Sequence, residues 1–300
     1  ITRGKKFEDV FKLVIGKDYT ELNDEWVYSL KKQYYPLLET NEIPRMASQK
    51  ITDFGFNEAP AYQRSENGDF LYYISNTTGY TNIVKLPLKT GSQKPEIVIE
   101  GERTEQYEVI HFLSSKIDIN EDGILAFSTK SGETDILYLY DTNANKLIDE
   151  FRSPGIVTIS SPAWSIDKSK IAFAGLNVSG NRDIYTLDIE SKSIAQETDD
   201  SYDDKNPVWS PDGGSVVFSS SRTSFGEQGA YNLFIKELET ERIYQITNGL
   251  HVDGSPVWSY EGNYLAYTSD RNGAANLFMT HMYEVLPNSG KGESNTISIE

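Results

Sequence analysis

Cysteine is absent from this 300-residue sequence, which removes disulfide frameworks, thiolate zinc sites, iron–sulfur clusters and thiol nucleophiles from consideration. Histidine is scarce: His111, His251 and His281 are the only three, and they are scattered. No apolar run approaches the roughly 20 residues that a membrane helix needs. Positive charge is short as well. The 28 Lys and Arg stand against 45 Asp and Glu, a net charge of −17 that repels phosphate backbones and anionic lipid. A Gly-x-Ser-x-Gly nucleophile elbow, a Walker loop and a Gly-rich dinucleotide fingerprint are all missing, so no catalytic residue, metal ligand or cofactor is assigned from the sequence. Aromatic residues are plentiful by contrast: 4 Trp, 19 Tyr and 13 Phe speak for a folded chain with a substantial core.

The charge is unevenly spread. Residues 1–50 hold 9 basic and 8 acidic residues, which leaves 19 against 37 for residues 51–300. The near-neutral part reads as two helices. Phe7, Val10, Phe11 and Val14 fall at i, i+3, i+4 and i+7, and Gly16 stands where a left-handed cap ends a helix. Asp18 with Glu21 three residues on is a capping-box start, Leu22, Trp26 and Leu30 mark the expected buried face, and Pro36 is the stop. Two short helices bury too little to stand alone, so residues 1–40 are expected to be a helical hairpin left over from an upstream domain. The opening Ile-Thr-Arg-Gly, without initiator Met or leader, fits a piece of a longer protein. The segments Phe7–Phe11, Gly16–Leu22, Glu25-Trp26 and Lys31–Tyr34 resemble the closing helices of gluzincin-type (peptidase MA-like) metallopeptidase domains. That resemblance implies a zinc site upstream, because no His-Glu-x-x-His motif occurs here.

From residue 51 the chain repeats itself. Pro162–Asp167, Pro207–Gly213 and Pro256–Gly262 align as Pro-x-Trp-Ser units whose starts lie 45 and 49 residues apart. Pro60-Ala61-Tyr62 with Gly68 is a fourth copy, and Lys116–Gly123 is a degenerate fifth without the Pro and Trp. A β-rich run follows each copy, at residues 70–75, 124–129, 171–174, 216–220 and 264–269. A third strand then opens on Asn or Asp, at Asn82, Asp135, Asp183, Asn232 and Asn276. A closing strand is clearest at Arg242–Thr247. Four short antiparallel strands per unit of this length make a β-propeller blade. The expected fold is therefore all-β: a propeller over residues 41–300, five repeats visible, five- or six-bladed. Trp164, Trp209 and Trp258 are expected to fill the gaps between blades, and Asp212-Gly213 to turn the inner strand into the second. Closure is expected from residues 46–52 serving as the last blade's fourth strand, with residues 296–299 the other strand-like segment near the end.

Pro207–Gly213, Asp183-Ile184-Tyr185 and Ser269–Gly273 resemble the repeat of the TolB-like propeller family. The resemblance implies a six-bladed ring in the periplasm or cell envelope of bacteria, used as a docking surface and found also fused to hydrolase domains. No active site is recognised, so the leading expectation is a non-catalytic protein-interaction or scaffolding propeller. The alternatives are the accessory propeller of a metallopeptidase-like protein, or a TolB-like carbohydrate lyase. Candidate binding residues follow from position, since loops before the inner strands converge on one mouth of a propeller's channel. These are Asp53, Asn57 and Glu58; Asp203, Asp204 and Asn206; His251 and Asp253. They make the expected mouth acidic and the expected partner a basic protein or peptide. The pairs Asp199-Asp200 and Asp203-Asp204, like Asp270 with Asn272, lack the alternating ligands of a cation loop and read as solvated turns. Arg222 and Arg271 read as braces that pair with carboxylates.

Overall fold

The computed structural model describes residues 7–38, 50–52, 54–66, 68–88, 94–111 and 113–282. The expected strands at residues 296–299 and 46–49 lie outside the described residues, and Lys50–Thr52 carry no strand. The chain divides into two compact units, Ile1–Asp53 and Phe54–Glu300.

In the first unit, α1 (Phe7–Ile15) ends at Gly16, whose φ of 79° is open to a residue without Cβ. Helix α2 (Tyr19–Tyr34) starts on the capping box read from the sequence: Glu21 N–H donates to Asp18 Oδ1 at 2.9 Å and Asp18 N–H to Glu21 Oε2 at 3.1 Å. A 3-10 turn over Tyr35–Leu38 takes in Pro36. The anticipated buried face is not buried. Trp26 is 60% exposed, and neither helix contains a buried residue.

The second unit is a propeller of five antiparallel blades. Blade 1 is β1 (Asn57–Ser65), β2 (Gly68–Ser75), β3 (Asn82–Pro87) and β4 (Glu96–Glu100), paired in that order. Blade 2 has β5 (Val109–Ile110), β6 (Asp118–Ile119), β7 (Ile124–Ser131), β8 (Thr134–Asp141) and β9 (Lys146–Phe151), with β5 and β6 both pairing β7. Here the inner strand is broken in two, in the repeat copy that lacks the Pro and Trp. Blade 3 is β10 (Ile156–Trp164), β11 (Lys170–Asn177), β12 (Arg182–Asp188) and β13 (Ile194–Gln196). Blade 4 is β14 (Asp204–Trp209), β15 (Ser215–Ser220), β16 (Asn232–Glu237) and β17 (Ile243–Gln245). Blade 5 shows β18 (Asp253–Trp258), β19 (Tyr264–Ser269) and β20 (Asn276–His281) among the described residues.

Side-chain alternation gives each sheet two apolar faces, and these meet in four seams. Phe127 and Tyr138 of blade 2 pack on Tyr72, Ile74 and Ile83 of blade 1. Ala126, Leu137 and Leu139 on the other face of blade 2 meet Ile171 and Phe173 of blade 3. Trp209 and Phe218 of blade 4 press on Ala163, Ala172 and Ile184 of blade 3, while Val217, Leu233 and Ile235 meet Leu265 and Tyr267 of blade 5. The indoles sit where the repeat placed them. Trp209 is buried and its Nε1–H donates to Ala163 O at 3.1 Å, and Trp164 Nε1–H reaches Ile124 O at 3.1 Å, each crossing to the preceding blade. The far face of blade 5 is open, with Val257 58%, Leu277 82% and Met279 46% exposed. At the inner-to-second turn of blade 4, Gly213 has φ 72° and Asp212 Oδ1 accepts from Gly214 N–H at 3.0 Å.

The Ser-x-Arg element braces two blades. Arg222 donates through Nε to Ser220 Oγ at 2.9 Å and through Nη2 to Asp204 Oδ2 at 2.7 Å. Arg271 does the same with Ser269 Oγ at 3.0 Å and Asp253 Oδ1 at 3.1 Å. Asp204 and Asp253 are fully buried, so each guanidinium neutralises a carboxylate that water does not reach.

Two outcomes follow from these contacts. Trp209→Ala empties a sealed seam and is expected to destabilise by about 3–5 kcal/mol in chemical unfolding, against less than about 0.5 for the exposed Trp26→Ala. Burial pushes the Asp204 carboxyl up to about 6 against the pull of Arg222. Arg222→Met leaves that carboxylate buried and unpaired at pH 7, with an expected loss of about 3–5 kcal/mol. Because losing the arginine raises the carboxyl further, protonation relieves the loss as pH falls, and the penalty at pH 5 should be clearly smaller than at pH 7. Urea unfolding of wild type and variant at both pH values reads this difference.

Candidate functional site

Four inner strands share one irregularity. The residue before each repeat proline takes a left-handed backbone: Ala59 φ 52°, Ser161 φ 52°, Asn206 φ 55° and Ser255 φ 51°. Pairing with the second strand slips at the same place, between Glu58 and Ala61, Ser160 and Ala163, Lys205 and Val208, and Gly254 and Val257. These are β-bulges. Proline has no N–H to lose from the ladder, so Pro60, Pro162, Pro207 and Pro256 suit a position where the ladder is interrupted. In blade 2, Lys116 holds the equivalent place, two residues before Asp118, whose partner Ala126 corresponds to Ala172 of blade 3.

The bulges bound a central cavity of about 950 Å³ to which every blade contributes. Its wall at this level is Ala59, Lys116, Ser161, Asn206 and Ser255, and one residue earlier along the strands it is Glu58, Ser115, Ser160 and Lys205. The side chains are tied sideways: Ser161 Oγ–H donates to Asn206 Oδ1 at 3.0 Å, and Ser115 Oγ accepts from Ser161 N–H at 3.0 Å. His111 also lines the cavity and meets both oxygens of Asp135 at 2.8 Å. Asp135 in turn accepts from Ile159 N–H at 2.9 Å, which anchors blade 2 to blade 3.

Among the described residues, three of the expected carboxylates, Asp203, Asp204 and Asp253, are paired with cations and Glu58 lines the cavity. Asp53 lies outside the described residues. Asp203 pairs with Arg182 at 2.9 Å and accepts the Tyr231 hydroxyl. Asp204 is buried against Arg222, and Asp253 is buried against Arg271 with His251 Nε2 at 3.1 Å. Asn57 turns its amide to Phe54 O at 2.9 Å. Of the anticipated residues, Glu58 and Asn206 line the cavity. Nor is Asp204 a solvated turn residue. It joins Asp183 and Asp200 in a group whose ligand oxygens lie within 4.8 Å of one another, the arrangement among the described residues best suited to a cation. Arg222 already supplies positive charge there, at 2.7 Å from Asp204 and 3.4 Å from Asp200.

The residues that the sequence reading passed over are the cations. Lys116, Lys205 and Arg182 all line the cavity. Burial pulls the Lys116 ammonium down to about 8, with Asp118 opposing weakly. Burial lowers Lys205 too, and its ammonium stands 3.3 Å from the centre of the Tyr231 ring. Asp118 does not neutralise this wall. Its carboxylate is spent on Trp164 N–H at 2.7 Å and Ile119 N–H at 2.9 Å, and desolvation raises it to about 6. The signal that marks Lys116 in the sequence is its register: a long cation where the other copies carry Ala, Ser, Asn and Ser.

No family model matches the chain. Among solved structures, it is similar to TolB from Acinetobacter baumannii, at 16% identity and a TM-score of 0.60 over 77% of this chain and 53% of that one. The TolB-type protein of Agrobacterium tumefaciens matches at 20% identity and a TM-score of 0.60, over 79% of this chain and 82% of that one. An oligogalacturonate lyase from Vibrio parahaemolyticus matches at 15% identity and a TM-score of 0.55, over 83% and 68%. The chain thus spans about half the length of the first of these. What the three share with this chain is the propeller fold.

Proposed function

We propose that this chain is a non-catalytic protein-interaction propeller of the bacterial cell envelope, and that an extended segment of a partner protein enters its central cavity. The observation that carries the reading is the convergence of inner strands from all five blades on one space of about 950 Å³ whose wall mixes apolar and polar side chains. Bulged backbone, short polar side chains and the half-buried cations Lys116, Arg182 and Lys205 suit the recognition of a chain end or loop. The TolB neighbours support an envelope location, and no described helix is long and apolar enough to cross a membrane. The helical unit supports a longer parent with a metallopeptidase-like domain ahead of the propeller, through the resemblance of residues 7–34 to gluzincin helices.

A second reading, a carbohydrate lyase, draws on the lyase neighbour and on one local feature: the His111–Asp135 pair and the lowered Lys116 ammonium face one cavity, as a proton-abstracting group and its helper would. Incubating the chain with uronate oligosaccharides and following the unsaturated product decides it, an expected absence of product favouring the docking reading.

The docking reading is tested by selecting displayed peptides against the intact chain and measuring the survivors on Thr158→Trp, which puts an indole into the cavity wall. Selected peptides should bind the variant at least tenfold more weakly, while the exposed Tyr260→Ser change leaves them unaffected. Peptides that bind Thr158→Trp as well as wild type would place docking elsewhere.

A further inference from the structure

Lys116 is anomalous among the groups of the cavity wall. An ammonium offers three donors, and one half-buried in a cavity wall, as Lys116 is, gains from an acceptor or a counter-charge. Among the described residues, the Lys116 ammonium makes no hydrogen bond and no ion pair, and the only charge acting on it is Asp118, whose oxygens are already held by two backbone N–H groups. Its tier of the wall is otherwise Ala59, Ser161, Asn206 and Ser255, all shorter, so the lysine is the longest side chain at that level. One residue earlier along the strands stand Lys205 and Glu58 on the same wall. Arg182 lines the cavity as well but is committed to Asp203, as Arg222 and Arg271 are to their aspartates. The contrast matters. Three arginines in this unit have been given carboxylates, and Lys116 has not.

We propose that the central cavity contains a carboxylate-binding subsite built on Lys116, and that the segment docking there presents an acidic residue to it. The inference rests on the docking reading and adds the chemistry of the bound group. It differs from the expectation of a basic partner, which drew in part on Asp203, Asp204 and Asp253, each paired with an arginine. The overall charge of −17 does not oppose it. Surface charge is screened within roughly 8–10 Å at ordinary ionic strength, whereas an ammonium in the cavity wall acts on a group in direct contact with it. The Ser255 hydroxyl and the Asn206 amide N–H stand in the same tier to donate to the second oxygen.

The position of Lys116 on the pH scale supplies a signature. The groups facing the cavity with it are Glu58, His111, Asp118, Arg182 and Lys205. A bound carboxylate favours the charged amine, so binding near pH 8 takes up a proton, and affinity falls as pH rises past the lysine's lowered value of about 8.

The probes are a fluorescent glutamate-containing hexapeptide and its glutamine isostere, read by anisotropy on the intact chain at low salt, with free succinate as competitor. The glutamate peptide should bind at least tenfold better than the glutamine one. Lys116→Met should abolish that preference. Lys116→Arg should keep it while removing the fall in affinity between pH 7 and pH 9, a result that a merely structural lysine does not produce. Equal binding of the two peptides overturns the carboxylate subsite while leaving docking intact. Preference that survives Lys116→Met moves the subsite away from this residue and sinks the assignment. Succinate binding as tightly as the peptide overturns the segment in favour of a small acid, and failure of Thr158→Trp to weaken peptide binding sinks the docking reading itself.

Discussion

A sheet that is apolar on both faces has no stable existence alone, and this condition governs the second unit. In blade 2, alternate residues of one strand point Ala126 toward blade 3 and Phe127 toward blade 1, and each belongs to a buried apolar cluster. Stacking face to face satisfies both sides, and the right-handed twist of each sheet turns the stack into an arc around an axis. The channel is a by-product of that arc. Only the inner edges of the sheets reach the axis, so whatever the inner strands carry becomes the wall.

The repeat made most of this legible before any coordinates. The second strand of blade 5, Tyr264–Ser269, occupies the residues anticipated for it, and Trp209 lies in the seam expected of a recurring indole. The fourth strand of blade 3 was faint for a physical reason. Ile194–Gln196 is three residues long and partly exposed, so neither length nor alternation marks it. The bulges were hidden as well. A proline at the head of a tryptophan motif looks like turn punctuation, and its use as a ladder residue that needs no N–H emerges only when the register on both sides is known. In the helical unit the local signals at Asp18, Glu21 and Gly16 were sufficient for the helix ends, but periodicity says which face is apolar and not whether anything covers it.

The site was harder to read because charge was counted along the chain. Asp204 and Arg222 are 18 residues apart, as are Asp253 and Arg271, and each pair is brought together by strand pairing within one blade. A linear tally sees surplus carboxylates where the fold sees neutralised pairs. Lys116 suffered the opposite fate. It lies in the degenerate copy, where the motif that defines the register is missing, so its equivalence to Ser161 and Asn206 became apparent only through the pairing of Asp118 with Ala126.

The bulge tier also separates two kinds of information within one repeat. The proline recurs in four of the five copies and the indole in three, where they serve the scaffold, whereas Ala59, Lys116, Ser161, Asn206 and Ser255 occupy one equivalent place with four different chemistries. Such an arrangement behaves as a short alphabet written around a ring: exchanging those five letters rewrites what the pore accepts while the frame that displays them is left alone, so descendants of one duplicated module are free to diverge in taste without first having to relearn how to fold.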